Sequence, residues 1–181
     1  MDNNFKRETL CVQAGWNPKN GEPRVLPIYQ STTFKYDTSE QMARLFDLEE
    51  NGYFYTRLQN PTNDAVAAKI AALEGGVGAI LTSSGQAASF FTFFNICEAG
   101  DHIVSTATIY GGTINLFAVT LKKFGIECTF VDADASEEEI QKAFKQNTKA
   151  VFGETIANPA ICVNDNKIYF CKYESNNTET L

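Results

Sequence analysis

The sequence predicts an α/β protein in which a mostly parallel sheet is flanked by helices and preceded by an irregular arm. Four short apolar segments have the composition of buried strands: GAILTS, HIVST, ECTFVD and AVFGET. Segments of helical length separate them: GQAASFFTFFNICEAG, GGTINLFAVTLKKFG and SEEEIQKAFKQN. Strands that alternate with helices are typical of βαβ units, whose strands run parallel.

Two amphipathic helices are predicted upstream of the sheet, in a region that is otherwise irregular. In TSEQMARLFDLEENG, Thr38 and Gln41 fit a capping box in front of an apolar stripe. In NPTNDAVAAKIAALEGG, Asn60 is the expected N-cap, Pro61 suits the first turn and Gly75 ends the helix. The first of these helices belongs to an extended N-terminal arm.

Composition and charge exclude several classes of protein. The 181 residues are 44% hydrophobic, which is enough for a buried core. The formal net charge is -7 without a basic stripe, so the binding of DNA or RNA has no electrostatic support. Because no segment resembles a signal peptide or an apolar span of roughly 18 residues, we expect no membrane contact and a cytoplasmic location.

The cysteines and the single histidine do not suggest a metal site. The five cysteines are scattered and never in C-x-x-C spacing, which predicts neither a disulfide framework nor bound zinc. His102, at the start of the strand HIVST, has no second histidine to share a metal and is expected to be structural.

The segment TSSGQAA is the first candidate binding motif, because it lies where a predicted strand ends and a helix begins. Gly85 is expected to let the backbone turn tightly, and the amides of Gly85, Gln86 and Ala87 to point toward an anion. The alternative is an ordinary N-cap formed by Ser83 or Ser84.

Two aromatic segments are further candidates. In YFYTRLQNPTN, Tyr55 and Arg57 stand two apart in what we take to be extended chain, so both could hold a phosphate. The alternative is a surface arginine beside a packed tyrosine. In IYGGT, Tyr110 is freed by Gly111 and Gly112 to cover a flat ligand, or it belongs to the core.

The segment FGETIANPA leaves the strand predicted in AVFGET and places Glu154 and Asn158 on the loop at its end. That loop leaves the carboxyl end of a parallel strand, where open α/β sheets bind their ligands.

The order of these motifs resembles the Cys/Met-metabolism family of pyridoxal-phosphate-dependent enzymes, and most closely its branch acting on O-acetylhomoserine. The resemblance runs from Glu8 to Ala160 and rests on these segments: ETLCVQAG, PIYQSTTF, YTRLQNPTN, IAALEGG, SSGQAA, AGDHIVS, YGGTINLF, KFGIE and FGETIANPA. It implies the first part of the large domain of fold type I (aspartate-aminotransferase-like) enzymes. It also implies an arm with oligomer contacts at residues 1–60, a partial cofactor-binding α/β domain at 61–160 and a non-family polar tail at 161–181.

The resemblance assigns roles to the candidate residues. Tyr55 and Arg57 would bind the cofactor phosphate of a neighbouring subunit in a homo-oligomer, and the backbone of Gly85 and Gln86 would bind the phosphate within the same chain. Tyr110 would stack on the pyridine ring and assist proton movement as the one catalytic residue.

On the loop after AVFGET, Asn158 would reach the phenolic oxygen of the cofactor and Glu154 would support the loop. The implied reaction of this family branch is a γ-replacement on a small amino acid: acetate leaves O-acetyl-L-homoserine, sulfide adds and homocysteine forms.

Two parts of the family pattern are not found after Ala160: the aspartate that pairs with the pyridinium nitrogen, and the Schiff-base lysine. Lys167 and Lys172 match no family motif. We therefore expect no turnover by this chain alone. Weak or no cofactor binding is expected too, since a hydrogen bond from Arg57, worth about 1.5 to 3 kcal/mol, and a helix terminus, worth about 0.3 to 1 kcal/mol, reach the millimolar range at best.

Two interpretations of function stay open. The chain is either part of an enzyme that is active once another polypeptide supplies the remainder, or a non-catalytic truncated product that is inert or binds full-length subunits; the polar tail favours the second. A nucleotide-binding Rossmann domain is a distant third, because its glycine fingerprint is missing. The resemblance also implies that strands following Ala160 separate GAILTS from AVFGET in the sheet. Without those strands, GAILTS is expected either to pair with a neighbouring strand or to drive association between chains.

Overall fold

The computed structural model describes residues 5–157, 159, 161 and 163, and the chain divides between Leu81 and Thr82 into two compact units. The first unit contains α1 (Arg7–Gln13), α2 (Ser39–Phe46) and α3 (Pro61–Glu74). The second unit contains α4 (Gly85–Ile96), β1 (His102–Thr106), α5 (Gly111–Asn115), a π-helix (Leu116–Leu121), β2 (Glu127–Val131), α6 (Glu137–Ala143) and β3 (Thr148–Phe152).

Both helices predicted upstream of the sheet are present, and their caps are those expected. The Thr38 side chain accepts a hydrogen bond from the Gln41 N–H at the start of α2. Asn60 does the same for the Thr62 N–H at 2.9 Å at the start of α3. Gly75 ends α3 in the left-handed conformation (φ 69°) that favours glycine.

The helix α1 was not predicted, because its seven residues have no side-chain cap at Lys6. A tertiary contact supports its C-terminal end instead. The Lys69 ammonium of α3 donates to the Cys11 carbonyl at 3.1 Å, which places a positive charge among the unpaired carbonyls of the last turn.

The sheet of the second unit has three parallel strands in the order β2-β1-β3, which confirms the predicted α/β class. Every residue of the central strand β1 is buried, as expected for a parallel strand covered on both faces. Ile103 packs in a cluster with Phe93 of α4 and Phe117 of the π-helix, while Val104 packs with Ile140 of α6.

Aromatic rings fill the first of these clusters. The ring centroids of Phe93 and Phe117 lie 4.7 Å apart, and those of Phe117 and Phe152 lie 5.3 Å apart, both edge to face. Such pairs add to the free energy gained by burying apolar area, by about 0.5 to 1.5 kcal/mol each. These ring contacts hold α4 and the π-helix against the sheet.

The expectation of a fourth strand at GAILTS, residues 78–83, is wrong for this structure. These residues have irregular backbone, and the Ile80 side chain is 90% exposed. A strand requires a partner for its backbone N–H and C=O groups, and the sheet formed by the described residues consists of β1, β2 and β3 alone. The expected pairing of this segment with a neighbouring strand is therefore not found among the described residues.

Candidate functional site

Three segments meet at the carboxyl edge of the sheet. The loop after β1 carries Tyr110, whose backbone N–H donates to Glu154 Oε1 at 3.2 Å on the loop after β3. The first turn of α4 joins them, since the Gln86 side chain lies against Gly112. This is the edge at which open α/β sheets bind ligands.

The N-terminus of α4 has a side-chain cap, and the two backbone N–H groups of its first residues precede the helical hydrogen bonds. Ser84 is the N-cap, and its hydroxyl accepts from the Ala87 N–H at 3.1 Å. The prediction of a serine cap is thereby confirmed, whereas Ala87 is wrong as an anion donor because its N–H is used by the cap. The N–H groups of Gly85 and Gln86 precede the first helical hydrogen bond, which Ala88 donates to the Ser84 carbonyl at 3.0 Å.

Gly85 does not provide the tight turn that the sequence suggested. It is not among the glycines with positive φ, and a Cβ built on it meets nothing within 4 Å. The backbone here is therefore accessible to any residue. The missing side chain leaves open space at the first residue of α4, the helix end at which anions bind.

Tyr110 stands between β1 and α5 with half of its surface exposed (50%). Its carbonyl accepts from the Thr113 N–H at 2.8 Å, which begins α5, and its N–H is held by Glu154. The core alternative for Tyr110 is therefore wrong in this structure. Glu154 lies on the expected loop, and Asn158 lies outside the described residues.

Buried polar atoms without a partner concentrate near this edge. Within the described part of the chain, the buried side-chain atoms that lack a hydrogen bond are Gln86 Oε1, Thr106 Oγ1 and Thr108 Oγ1. Leaving such an atom unpaired costs about 1 to 3 kcal/mol, so these atoms suit a site that receives a polar ligand. The sequence analysis did not identify either threonine. Their positions were a usable signal, because Thr106 ends β1 and Thr108 follows on the loop, where open α/β sheets bind ligands.

Tyr55 and Arg57 are neighbours within the first unit. The Arg57 guanidinium carbon lies 5.3 Å from the centroid of the Tyr55 ring. The extended chain expected here is wrong, because the N–H groups of Leu58 and Gln59 donate to the Tyr55 carbonyl at 3.0 and 3.1 Å and form a turn. The two side chains border a cavity of about 300 Å³, and 37% of Tyr55 is exposed.

His102 is fully buried and hydrogen-bonded at both ring nitrogens. Nδ1 lies 2.8 Å from Thr148 Oγ1 of β3, and Nε2 lies 2.8 Å from Thr129 Oγ1 of β2. Burial lowers the pKa of His102, which favours the neutral ring. These contacts confirm the prediction that His102 is structural.

The described cysteines are free thiols: Cys11, Cys97 and Cys128. Burial raises the pKa of Cys128 to about 12, so this thiol is neutral and a poor nucleophile. No group of three His, Cys, Asp or Glu side chains that could hold a metal ion occurs among the residues placed in the structure. Within that same part of the chain, the helices are too short or too polar to span a membrane.

The fold and the edge together define an α/β ligand-binding domain of the open parallel type. The family model of Cys/Met metabolism PLP-dependent enzymes matches residues 8–173, and the chain belongs to that family. Its cofactor is therefore pyridoxal 5′-phosphate, for which the open helix N-terminus and the exposed Tyr110 ring are suitable contacts. The match ends thirteen residues beyond Ala160, inside the segment predicted to lie outside the family.

Relatives and solved structures agree with this family. The chain is 43% identical over 162 residues to an O-acetyl-L-homoserine sulfhydrylase of Leptospira meyeri, covering 89% of this chain and 36% of the relative. It is 49% identical over 157 residues to an L-methionine gamma-lyase of Fusobacterium nucleatum subsp. polymorphum, covering 87% of this chain and 40% of the relative.

Among solved structures, an O-acetylhomoserine (thiol)-lyase of Campylobacter jejuni superposes with a TM-score of 0.86 at 37% identity, covering 96% of this chain and 42% of that chain. That structure contains N′-pyridoxyl-lysine-5′-monophosphate at position 205 of its own chain. The predicted fold type I architecture is thus confirmed. The chain spans well under half the length of these proteins.

Proposed function

We propose that this chain forms the phosphate-binding and ring-stacking side of the pyridoxal-phosphate site of an O-acetylhomoserine sulfhydrylase. The observation that carries the proposal is the junction at the carboxyl edge, where the Gln86 side chain of α4 and the exposed Tyr110 ring meet at Gly112 and Glu154 ties Tyr110 to the loop after β3. The reaction of the intact enzyme replaces acetate on the γ-carbon of O-acetyl-L-homoserine with sulfide, which yields homocysteine. The cytoplasm is the proposed location.

The chain's own residues divide the work of binding. The N–H groups of Gly85 and Gln86 hold the phosphate in the field of the helix N-terminus. Tyr110 covers the ring face and holds a proton at its phenolic oxygen, while Asn158 binds the phenolic oxygen of the cofactor. When bound, pyridoxal phosphate supplies the electron sink for carbanion chemistry at the substrate.

The arm completes the site of another subunit in a homo-oligomer. Tyr55 and Arg57 are both exposed on the first unit, and the guanidinium and hydroxyl suit a phosphate dianion. Turnover also needs a lysine that binds the cofactor covalently. In the C. jejuni structure a lysine carries the pyridoxyl group. Since the family segment with that lysine is not found in this sequence, we propose that this chain alone is inactive.

The phosphate contact is tested with pyridoxine 5′-phosphate, which keeps the ring and phosphate but has no aldehyde to react with surface lysines. In equilibrium dialysis we expect millimolar binding by the wild-type chain. Gly85→Val is expected to weaken it at least about ten-fold, since a branched side chain would occupy the open space at the residue whose N–H is proposed to bind the phosphate. Gly78→Val is the matched control, because a Cβ there also meets nothing within 4 Å. Equal losses in both variants, or no binding by the wild type, would contradict the proposal.

A second candidate function is a non-catalytic subunit that binds full-length relatives through the arm. The exposure of Tyr55 and Arg57 favours it, as does coverage of only 36% of a relative's length. Co-expression with a tagged full-length sulfhydrylase distinguishes the two. Stable co-purification that Arg57→Ala abolishes supports the subunit function, and failure to co-purify eliminates it.

A further inference from the structure

The side chain of Gln86 lies against Gly112. The proposed binding of phosphate uses only the backbone N–H of Gln86 and does not require this contact. A Cβ built on Gly112 would lie against Cε1 of the Tyr110 ring and 2.5 Å from Gln86 Nε2. Both contacts are closer than real Cβ atoms show. The carboxamide and the ring therefore flank the same point above Gly112, and only glycine leaves room for both.

The other end of the carboxamide is also constrained. Gln86 Oε1 is buried and has no hydrogen-bond partner among the described residues. Since a buried acceptor without a donor is unfavourable, the carboxamide is kept in place by packing rather than by a hydrogen bond of its own. That packing includes Gly112 and lies beside the ring of Tyr110.

Tyr110 needs such a neighbour. Its backbone is fixed by the bond to Glu154 and by the start of α5, but half of its side chain is exposed. An exposed ring keeps its rotamer freedom unless a packed group restricts it. Gln86 belongs to the first turn of α4, which also carries the N–H groups of Gly85 and Gln86. Its side chain therefore brings the Tyr110 ring and that turn together.

We propose that Gln86 is a positioning residue whose carboxamide, seated over Gly112, sets the orientation of the Tyr110 ring. The inference rests on the proposed function for its consequence: Gln86 would hold the Tyr110 ring in the orientation in which it could cover a bound cofactor. Gly112 is the second member of this arrangement, because a side chain there would displace either the carboxamide or the ring.

The orientation of the ring is measured directly on the complete chain by NMR with ¹³C-labelled tyrosine, with the Tyr110 signals assigned from Tyr110→Phe. We expect Gln86→Ala and Gly112→Ala each to shift the Tyr110 ring signals. In the double variant the two shifts should not add, because both substitutions disturb the same arrangement. Alanine has a higher helix propensity than glutamine, so Gln86→Ala keeps α4 intact. Gln59→Ala, at an exposed glutamine outside this contact, is the control.

Binding provides the second readout. Because Gln86→Ala retains its backbone N–H, its affinity for pyridoxine 5′-phosphate should fall about five-fold, and by more than its affinity for inorganic phosphate. Gln86→Met, which retains the length of the side chain, should recover part of that loss.

Unchanged Tyr110 signals in Gln86→Ala would overturn the inference. Equal loss of affinity for both ligands would also overturn it, since it would show a disrupted helix terminus. If the signals shift as expected but the wild type binds neither ligand, the positioning contact is supported and the proposed cofactor function fails.

Discussion

His102 connects all three strands of the sheet, because its two ring nitrogens reach Thr129 on β2 and Thr148 on β3 from its own position on β1. Each hydroxyl can serve as donor or acceptor, so the neutral ring is satisfied in either tautomer. Burial is the main cause of its lowered pKa, with a further lowering by Lys145 and an opposing effect of Glu127. The single histidine therefore acts as a neutral cross-strand link.

The free energy of unfolding should depend on pH through His102. Its pKa in the folded chain lies below the ordinary value of 6.5, so the unfolded chain binds more protons below that pH. The stabilisation is present above about pH 6.5 and is lost as the pH falls toward the folded-state pKa, at up to about 1.4 kcal/mol per pH unit. Urea unfolding between pH 7.5 and 5.5 measures this slope.

His102→Gln is the control, because it keeps a polar side chain that does not titrate. His102 is the only histidine, so no other side chain has its ordinary pKa in this range. The variant should be less stable at pH 7.5 and should show a flatter slope. An identical slope in the variant would show that His102 is not the titrating group.

The helix α3 has both its beginning and its end fixed by residues of its own sequence. The Asn60 side chain caps the Thr62 N–H and also donates to the Tyr29 carbonyl at 3.0 Å. It therefore fixes both the helix start and the preceding chain. Gly75 closes the other end with positive φ.

Asn60→Ala should lower the free energy of unfolding of the first unit by about 1 to 2 kcal/mol, since it removes the cap and the bond to Tyr29. Urea unfolding followed by the fluorescence of the single tryptophan, Trp16, reports on this unit. Asn63→Ala, at an exposed position of the same helix, should change stability by less than about 0.5 kcal/mol. Equal losses in the two variants would exclude the capping role.

Residues 78–83 have the composition of a strand but irregular backbone, because no partner strand lies beside them among the described residues. Ile80 is 90% exposed within an apolar run, which is a typical template for association between chains. Ile80→Lys should reduce concentration-dependent association in sedimentation velocity without loss of stability. Ile28→Lys is the matched control at a similarly exposed isoleucine (77%), and an equal effect there would show that association is not specific to this segment.

At the scale of the whole molecule, the chain spans only part of the length of its relatives. It matches 36% of the length of the L. meyeri sulfhydrylase, and the structure of the C. jejuni relative has its pyridoxyl-lysine at position 205 of that chain. Binding contacts and the covalent lysine are thus proposed to lie in different parts of the intact protein. The described residues contain a three-stranded sheet packed against a core of its own.

Turnover should therefore require complementation. The chain alone, with pyridoxal phosphate, O-acetyl-L-homoserine and sulfide, should form no homocysteine. Co-expression with the part of the L. meyeri enzyme that follows the matched segment should restore it. Tyr110→Phe in the complemented pair should lower kcat about 10²-fold or more if Tyr110 moves a proton. Homocysteine formation by the chain alone would contradict the proposed inactivity.

Much of the fold was determined by the sequence itself. The strands at HIVST, ECTFVD and AVFGET and the caps of α2 and α3 are encoded by local patterns, namely apolar runs between turns and capping side chains next to the helix they begin. The position of the site at the carboxyl edge also followed, because parallel strands connected by helices place their loops at one edge. The family resemblance supplied the roles.

Only the tertiary structure decided which residues meet. The Gln86 carboxamide and the Tyr110 ring approach the same point at Gly112, which brings a helix start beside a distant loop, and the partners of His102 come from two other strands. GAILTS has a strand's composition but remains irregular, since pairing depends on which strands lie beside it. Local pattern fixes an element's preference, whereas these outcomes depend on long-range contacts that no single segment contains.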